Sequence, residues 1–345
     1  MVKADFPAIE QMFFSIFRPR RKQADPAFIG YFERLFFSGP DGGAGGGGLV
    51  SQDGAAIGSA VAFLPITYVA HGRELTARLA CAFMSSTRQS RAAARVVLSL
   101  RARGQDMLFT DSASPVSAGH WSAIGGIVLP VNSLDWQCRF RPLSYGARRL
   151  GLPPLLDPVW NGLDRLVARR RRSQSGAATA ADSEIDLAHY AGLAPQMIAH
   201  FAVRPKWDRA EMEWQLRLAS ENRRLGRLRF FAVGGAQPLG CYAYFTGERG
   251  SVRVLDVLAR PGHEAAVVAA LYRRLAAEGT TEARGAAHPH LLAALSPLPG
   301  MRFRHRAFTC LATRHQDIAQ AVAHNDIYIG GLAGESWSRL MTDFF

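Results

Sequence analysis

The stretch CAFMSSTRQSRAAARVVLSLRARG, Cys81 to Gly104, constrains the fold of this chain more than any other. It reads as a strand, a short turn, and a helix whose first turns are crowded with arginine. Ala93, Val96, Val97 and Leu100 recur at the spacing that puts side chains on one helical face, so that face is expected to be buried. Arg88, Arg91 and Arg95 fall together on another face near the helix start. A helix start carries partial positive charge and unpaired N–H groups, so each cation there costs up to about 1 kcal/mol. A bound anion reverses that sign, because N–H groups, dipole and guanidinium forks would all point at it. The helix start is therefore either a solvated basic end or a phosphate site.

A length of 345 residues is enough for two domains, each with its own core. The formal net charge of +13 implies attraction to something anionic: a nucleotide-like cofactor, an RNA or a membrane surface. Cys81, Cys138, Cys241 and Cys310 lie far apart, with no CxxC pair and no histidine spacing suited to zinc. They are expected to be buried small hydrophobes, and no metal is expected. No stretch approaches the roughly 20 apolar residues of a membrane span, and the N-terminus lacks a secretory pattern, so a cytoplasmic location is expected.

Along the chain, Ile9, Met12, Phe13, Ile16 and Phe17 predict one amphipathic helix, and Phe28, Tyr31, Phe32, Leu35 and Phe36 a second. The run PDGGAGGGG, Pro40 to Gly48, is expected to be a loop; no Gly-Lys-Ser/Thr follows it, so it is not a P-loop. Turns at Asp53-Gly54 and His71-Gly72 then separate antiparallel strands that lead into Ala77–Met84. MLFTDS is a strand, Pro115 to Ala123 a short helix, and Gly126 to Arg139 a further strand region. Leu155 to Arg172 reads as a helix ending in four arginines. The small, polar run Ser173 to Ser183 reads as a linker. The second half repeats the order: helix Glu211–Leu218, hairpin Leu228–Val233 and Leu239–Phe245, strand Ser251–Ala259, helix His263–Ala277, a short helix His290–Leu295, then strand Arg302–Ala312. Its helix starts Pro261-Gly262-His263-Glu264, a normal start that needs no bound anion.

This order resembles the GNAT superfamily of acyl-CoA-dependent N-acyltransferases. That family marks its pyrophosphate loop with Gln/Arg-x-x-Gly-x-Gly/Ala after a strand. Here Arg88-Gln89-Ser90-Arg91-Ala92-Ala93 stands in that place, with Arg91 at the central glycine. In SPVSAGHWSAIGG, Ser114 falls at a family Asn position and Trp121 at a Tyr position that in many relatives serves as general acid. The second half also resembles bacterial double-GNAT proteins often linked to cell-surface polysaccharide genes, through Glu213-Trp214-Gln215-Leu216 and Ile327-Tyr328-Ile329. FemX-type aminoacyl transferases share the tandem layout.

The resemblance implies an α+β protein of two tandem GNAT-like domains, each a mostly antiparallel mixed sheet flanked by helices. Residues 1–172 would form the acyl-CoA-binding domain, 173–183 a linker, and 184–345 a second domain with a degenerate cofactor site. It implies transfer of an acyl group, acetyl being the simplest, from acyl-CoA to an amine of a small molecule, sugar or peptide. Arg88, Gln89, Ser90, Arg91, Ala92, Ala93 and Ser114 would hold the cofactor, and the strand backbone at Phe83 and Met84 would supply an oxyanion donor. Asp256, alone in the apolar strand VRVLDVLA, and His120 are the candidates for proton transfer, and Asp111 and Ser112 at the end of a central strand remain open. A transferase using aminoacyl-tRNA, and a non-catalytic acyl-CoA-binding protein, remain as alternatives.

Overall fold

The computed structural model describes residues 1–19, 25–39, 47–53, 56–86, 91–101, 104–153, 159–160, 162–164 and 180–344. Residues 40–46 of the expected glycine loop, the arginine run 169–172 and most of the linker lie outside them; Gly47 and Gly48, expected in that loop, begin a strand instead. The first half runs α1 (Phe6–Phe17), α2 (Phe28–Phe37), β1 (Gly47–Asp53), β2 (Ala56–Ala70), β3 (Arg73–Ser85), α3 (Arg91–Ser99), β4 (Met107–Ala113), α4 (Pro115–Ala123), β5 (Ile127–Leu129), β6 (Leu134–Arg139) and α5 (Pro142–Arg149). The second half runs β7 (Asp182–Ile185), α6 (Leu187–Met197), β8 (Val203–Pro205), α7 (Arg209–Ser220), β9 (Arg227–Val233), β10 (Gly240–Thr246), β11 (Ser251–Ala259), α8 (Glu264–Ala277), β12 (Glu282–Ala286), α9 (Leu292–Leu295), β13 (Met301–His305), β14 (Phe308–Thr313) and α10 (Gln316–Ala323).

These strands form two seven-stranded mixed sheets. One has the order β1-β2-β3-β4-β14-β5, with β8 on the free edge of β2; the other has the order β7-β9-β10-β11-β12-β6-β13. The topology is consistent with the repeat expected from the sequence. In each sheet an antiparallel set leads to a single parallel pair, β3/β4 or β11/β12, joined by a crossover helix.

The expected halves are not the compact units. One unit comprises Met1–Ser133, Phe201–Asn222 and Ala307–Phe345; the other comprises Leu134–His200 and Arg223–Arg306. The region Gly126 to Arg139, read as one strand, is two. β5 stays in the first sheet, and β6 enters the second between β12 and β13. The region Arg302–Ala312 divides likewise, and β14 returns to the first sheet between β4 and β5. The exchange is reciprocal, and no boundary at 173–183 separates these sheets.

β2 continues through Pro65, which a central strand does not normally admit because proline lacks the ladder N–H. Here β1 pairs with β2 only as far as Phe63, and β8 begins only at Tyr68, so Pro65 falls in the gap between them. In the first unit, Val61, Phe63, Ala80 and Leu108 pack against Val96, Leu100 and Trp121 of the α3 and α4 side. Phe13, Phe28, Phe32 and Phe344 form an aromatic cluster around α1 and α2, with ring centroids 4.9 to 5.6 Å apart. In the second unit, Val267, Leu271 and Leu275 of α8 bury against Phe231, Tyr242 and Val254. At about 1.5–3 kcal/mol per buried large apolar side chain, these faces drive the folding of both sheets.

Candidate active site

β3 and β4 pair over only three positions, Ala77↔Met107, Arg78↔Leu108 and Leu79↔Phe109. Beyond them the strands pair with other neighbours and not with each other, which opens a wedge. A bulge lies on each side of it. On β3, Cys81 pairs with Ala62 and Met84 with Ala60, so Ala82 and Phe83 face one residue, and Ala82 has φ of +49°. On β4, Thr110 pairs with Cys310 and Ala113 with Phe308, leaving Asp111 and Ser112 opposite Thr309. A bulge releases residues from the regular ladder and re-aims their side chains, and bulges are common beside active sites.

On the α3 and α4 side of the wedge, α3 starts at Arg91, and Arg88, Gln89 and Ser90 lie outside the described residues. Ala92 and Ala93 are buried, as are Val96, Val97 and Leu100, while Arg91 and Arg95 are exposed. This matches the face expected from the sequence. Met84 is buried, and its carbonyl accepts a hydrogen bond from Ser59 Oγ at 2.7 Å. Ser114, expected at the cofactor, is the N-cap of α4, and its Oγ accepts from Ser117 N at 3.2 Å. Its hydroxyl thus satisfies a helix-end donor. Trp121 is buried in the core. The residue before it, His120, instead faces the bulge, with its ring 6.1 Å from that of Phe83 and edge-on to it. Among the described residues its Nδ1 has no hydrogen-bond partner.

On the other side of the wedge stand Cys81, Asp111, Ser112 and Glu335. Cys81, Asp111 and Glu335 are almost fully buried, and Ser112 is half-buried. Glu335 N donates to Asp111 Oδ1 at 3.1 Å, and Ser112 Oγ donates to a Glu335 carboxylate oxygen. Burial, with Glu335 and Asp111 beside it, pushes the Cys81 thiol well above its ordinary value, so it is no nucleophile as it stands. A Cβ on Gly334 would lie 2.1 Å from Asp111 Oδ2, so only glycine lets the C-terminal segment approach this closely. Sequence reasoning passed over Glu335. Its one signal was an acid inside the otherwise small and apolar run GGLAGESW.

The second unit repeats the wedge without the basic helix start. β11 and β12 pair at 251–253 and 282–284, and β11 is bulged near Leu255. α8 begins at Glu264, whose own carboxylate accepts from Gly262 N at 3.2 Å. Asp256 lies here, in the second unit. It is 3% exposed, accepts from Val257 N at 2.8 Å, and stands 3.8 Å from His288 Nε2. Its surroundings are those of a buried, partnered structural carboxylate, not of a solvent-reached base. The structure thus groups Phe83, Met84, Arg91, Ala92, Ala93, Ser114 and His120 in one unit and puts Asp256 in the other. All four cysteines are buried and unbridged. Among the described residues no group of three or more His, Cys, Asp or Glu is placed to hold a metal ion. None of the described helices is long and apolar enough to cross a membrane.

No protein-family profile matches the chain, and no curated protein matches it in sequence. Solved structures do match in fold. A conserved Enterococcus faecalis protein of unknown function, a probable N-acyltransferase, superposes with a TM-score of 0.58 at 9% identity, covering 91% of this chain and 71% of that one. A GCN5-related N-acetyltransferase from Anabaena variabilis does so at 0.57 and 11% identity, covering 90% and 70%. Another, from Kribbella flavida, gives 0.54 at 12% identity, covering 90% and 69%. At such identities the likeness establishes the fold: this chain has the fold of GCN5-related N-acetyltransferases over nearly all its length.

Proposed function

We propose that the first unit binds an acyl-CoA in the β3/β4 wedge and transfers its acyl group to an amine. What carries this reading is the wedge itself. A parallel pair that opens after three positions, bulged at Ala82–Phe83, precedes a helix that starts with exposed arginine. The segment Arg88–Ala93 would hold the pyrophosphate, where helix N–H groups and guanidinium groups converge on negative charge. The bulged backbone at Phe83 and Met84 would face the thioester carbonyl, where a donor stabilises the oxyanion of the tetrahedral intermediate. Collapse of that intermediate breaks the C–S bond. His120, beside Phe83, is positioned to hand a proton to the leaving thiolate, in place of the buried Trp121. Asp256 is read as structural.

The second unit is read as a cofactor-free copy, because its helix opens with an acid, Glu264, whose charge suits the helix dipole without a bound anion. An acetyl donor and a small-molecule, sugar or peptide amine fit this reading. An aminoacyl-tRNA donor and a non-catalytic role are less favoured, since the wedge carries polar groups on both sides. Calorimetry with acetyl-CoA is expected to show one site per chain, and thiol release is expected to depend on an added primary amine. Two equivalent sites, or no binding, would sink the proposal.

A further inference from the structure

We infer that Ser112 and Glu335 form the proton path from the acceptor amine, with Asp111 as the residue that positions Glu335. This rests on the acyl-transfer reading above and names the groups that prepare the nucleophile.

The bulge on β4 puts Asp111 and Ser112 opposite a single partner residue, and both meet the C-terminal segment, Asp111 through Glu335 N and Ser112 through the Glu335 carboxylate. Of the three side chains only Ser112 is half-buried; Asp111 is 0% and Glu335 2% exposed. An amine entering the wedge therefore reaches the hydroxyl first and the carboxylate through it. Glu335 is held where it is by more than this contact. Gly334 packs directly on Asp111, and Gln215 donates to Leu332 O. Farther along, Arg339 N donates to Tyr31 Oη at 3.0 Å, its Nε pairs with Asp343 at 2.7 Å, and its guanidinium lies over the rings of Tyr31 and Phe344. The segment is thus locked to the first unit, and its carboxylate is pre-organised in a site poor in water, where it acts most strongly on a cation.

The chemistry needs such a group. An acceptor that arrives as a primary ammonium cannot attack until it loses a proton. That proton passes to Ser112 Oγ as the hydroxyl's own proton moves to Glu335. The freed nitrogen lone pair attacks the thioester carbon, forming C–N. The C–S bonding pair leaves with the proton that His120 hands to it, the second nitrogen proton replaces the one His120 gave, and Glu335 returns its proton to solvent. The acceptor class is therefore a primary amine that is charged in solution.

The test uses the full-length chain with acetyl-CoA and two probe amines, ethanolamine and glucosamine. E335Q keeps shape and removes basicity. It is expected to leave acetyl-CoA affinity within about two-fold while kcat/KM falls by about 10²–10⁴-fold. Its remaining rate should rise with pH until the amine deprotonates unaided, and should favour glucosamine, the less basic probe. S112A should show the same split and S112T should recover most of the rate, which a packing role alone would not produce. Wild-type kcat/KM and pH profile in E335Q, or in an S112A that binds acetyl-CoA normally, overturn the path. Failure of the wild type to bind acetyl-CoA removes the underlying reading instead.

Discussion

Replacing Arg91 by alanine should move stability and ligand affinity in opposite directions. Arg91 is the first residue of the nine-residue helix α3 and its side chain is exposed. Without ligand, a cation at that end opposes the helix dipole by about 0.3–1 kcal/mol, and exposure puts the value at the low end. Removing it should leave the free protein as stable or slightly more so. A gain of about 0.3–0.5 kcal/mol is about 1–2 °C in Tm for a unit of this size. With acyl-CoA bound, the same guanidinium would make a charge-assisted contact to phosphate. Such contacts contribute about 1.5–3 kcal/mol when shielded, and solvent screening should reduce that to about 0.7–1.4 kcal/mol here. That is a weakening of about three- to ten-fold. Thermal unfolding and calorimetry at low and high salt would read both effects, and the salt dependence of binding should be shallower in the variant. A Tm lowered by several degrees with unchanged affinity would show that Arg91 supports the fold and holds no phosphate.

Gly334→Ala should destabilise the first unit by about 1–3 kcal/mol, since its Cβ would overlap the fully buried carboxylate of Asp111 and displace it from its contact with Glu335 N; an unchanged denaturation midpoint would argue against that packing. Burial, with His288 and His200 beside it, pushes the His290 imidazole down to about 3. The unfolded chain takes up that proton below about 6.5 and the folded chain does not, so the stability this site contributes is full above about 6.5 and is lost as pH falls toward 3, by at most about 1.4 kcal/mol per pH unit. His290→Gln should flatten stability against pH between about 6.5 and 4 in urea titrations; a parallel curve would remove the site from the pH dependence.

Much of the local structure was legible in the sequence because its causes are local. The period of Ala93, Val96, Val97 and Leu100 marks the buried face of α3, and all four are buried. The contrast between the two helix starts was legible too, since an acid, Glu264, opens α8 where arginine opens α3. His120 could be named as a candidate, although only the turn of α4 shows that its ring meets that of Phe83.

What the tertiary structure alone decided is which strand joins which sheet. Side-chain pattern identifies Gly126–Arg139 and Arg302–Ala312 as extended, but a short extended segment reads alike in either sheet. Each region in fact divides as the chain passes from one sheet to the other, near Ser133 and Arg306. Asp256 was singled out for being acidic in an apolar strand, a pattern that a buried partner such as His288 explains equally well. Glu335 escaped notice for the converse reason. It lies 223 residues from Ser112, in a segment whose burial depends on strand exchange and on aromatic packing against α2. Side-chain periodicity reports only neighbours along the chain, whereas a proton path is assembled by the contacts that close it.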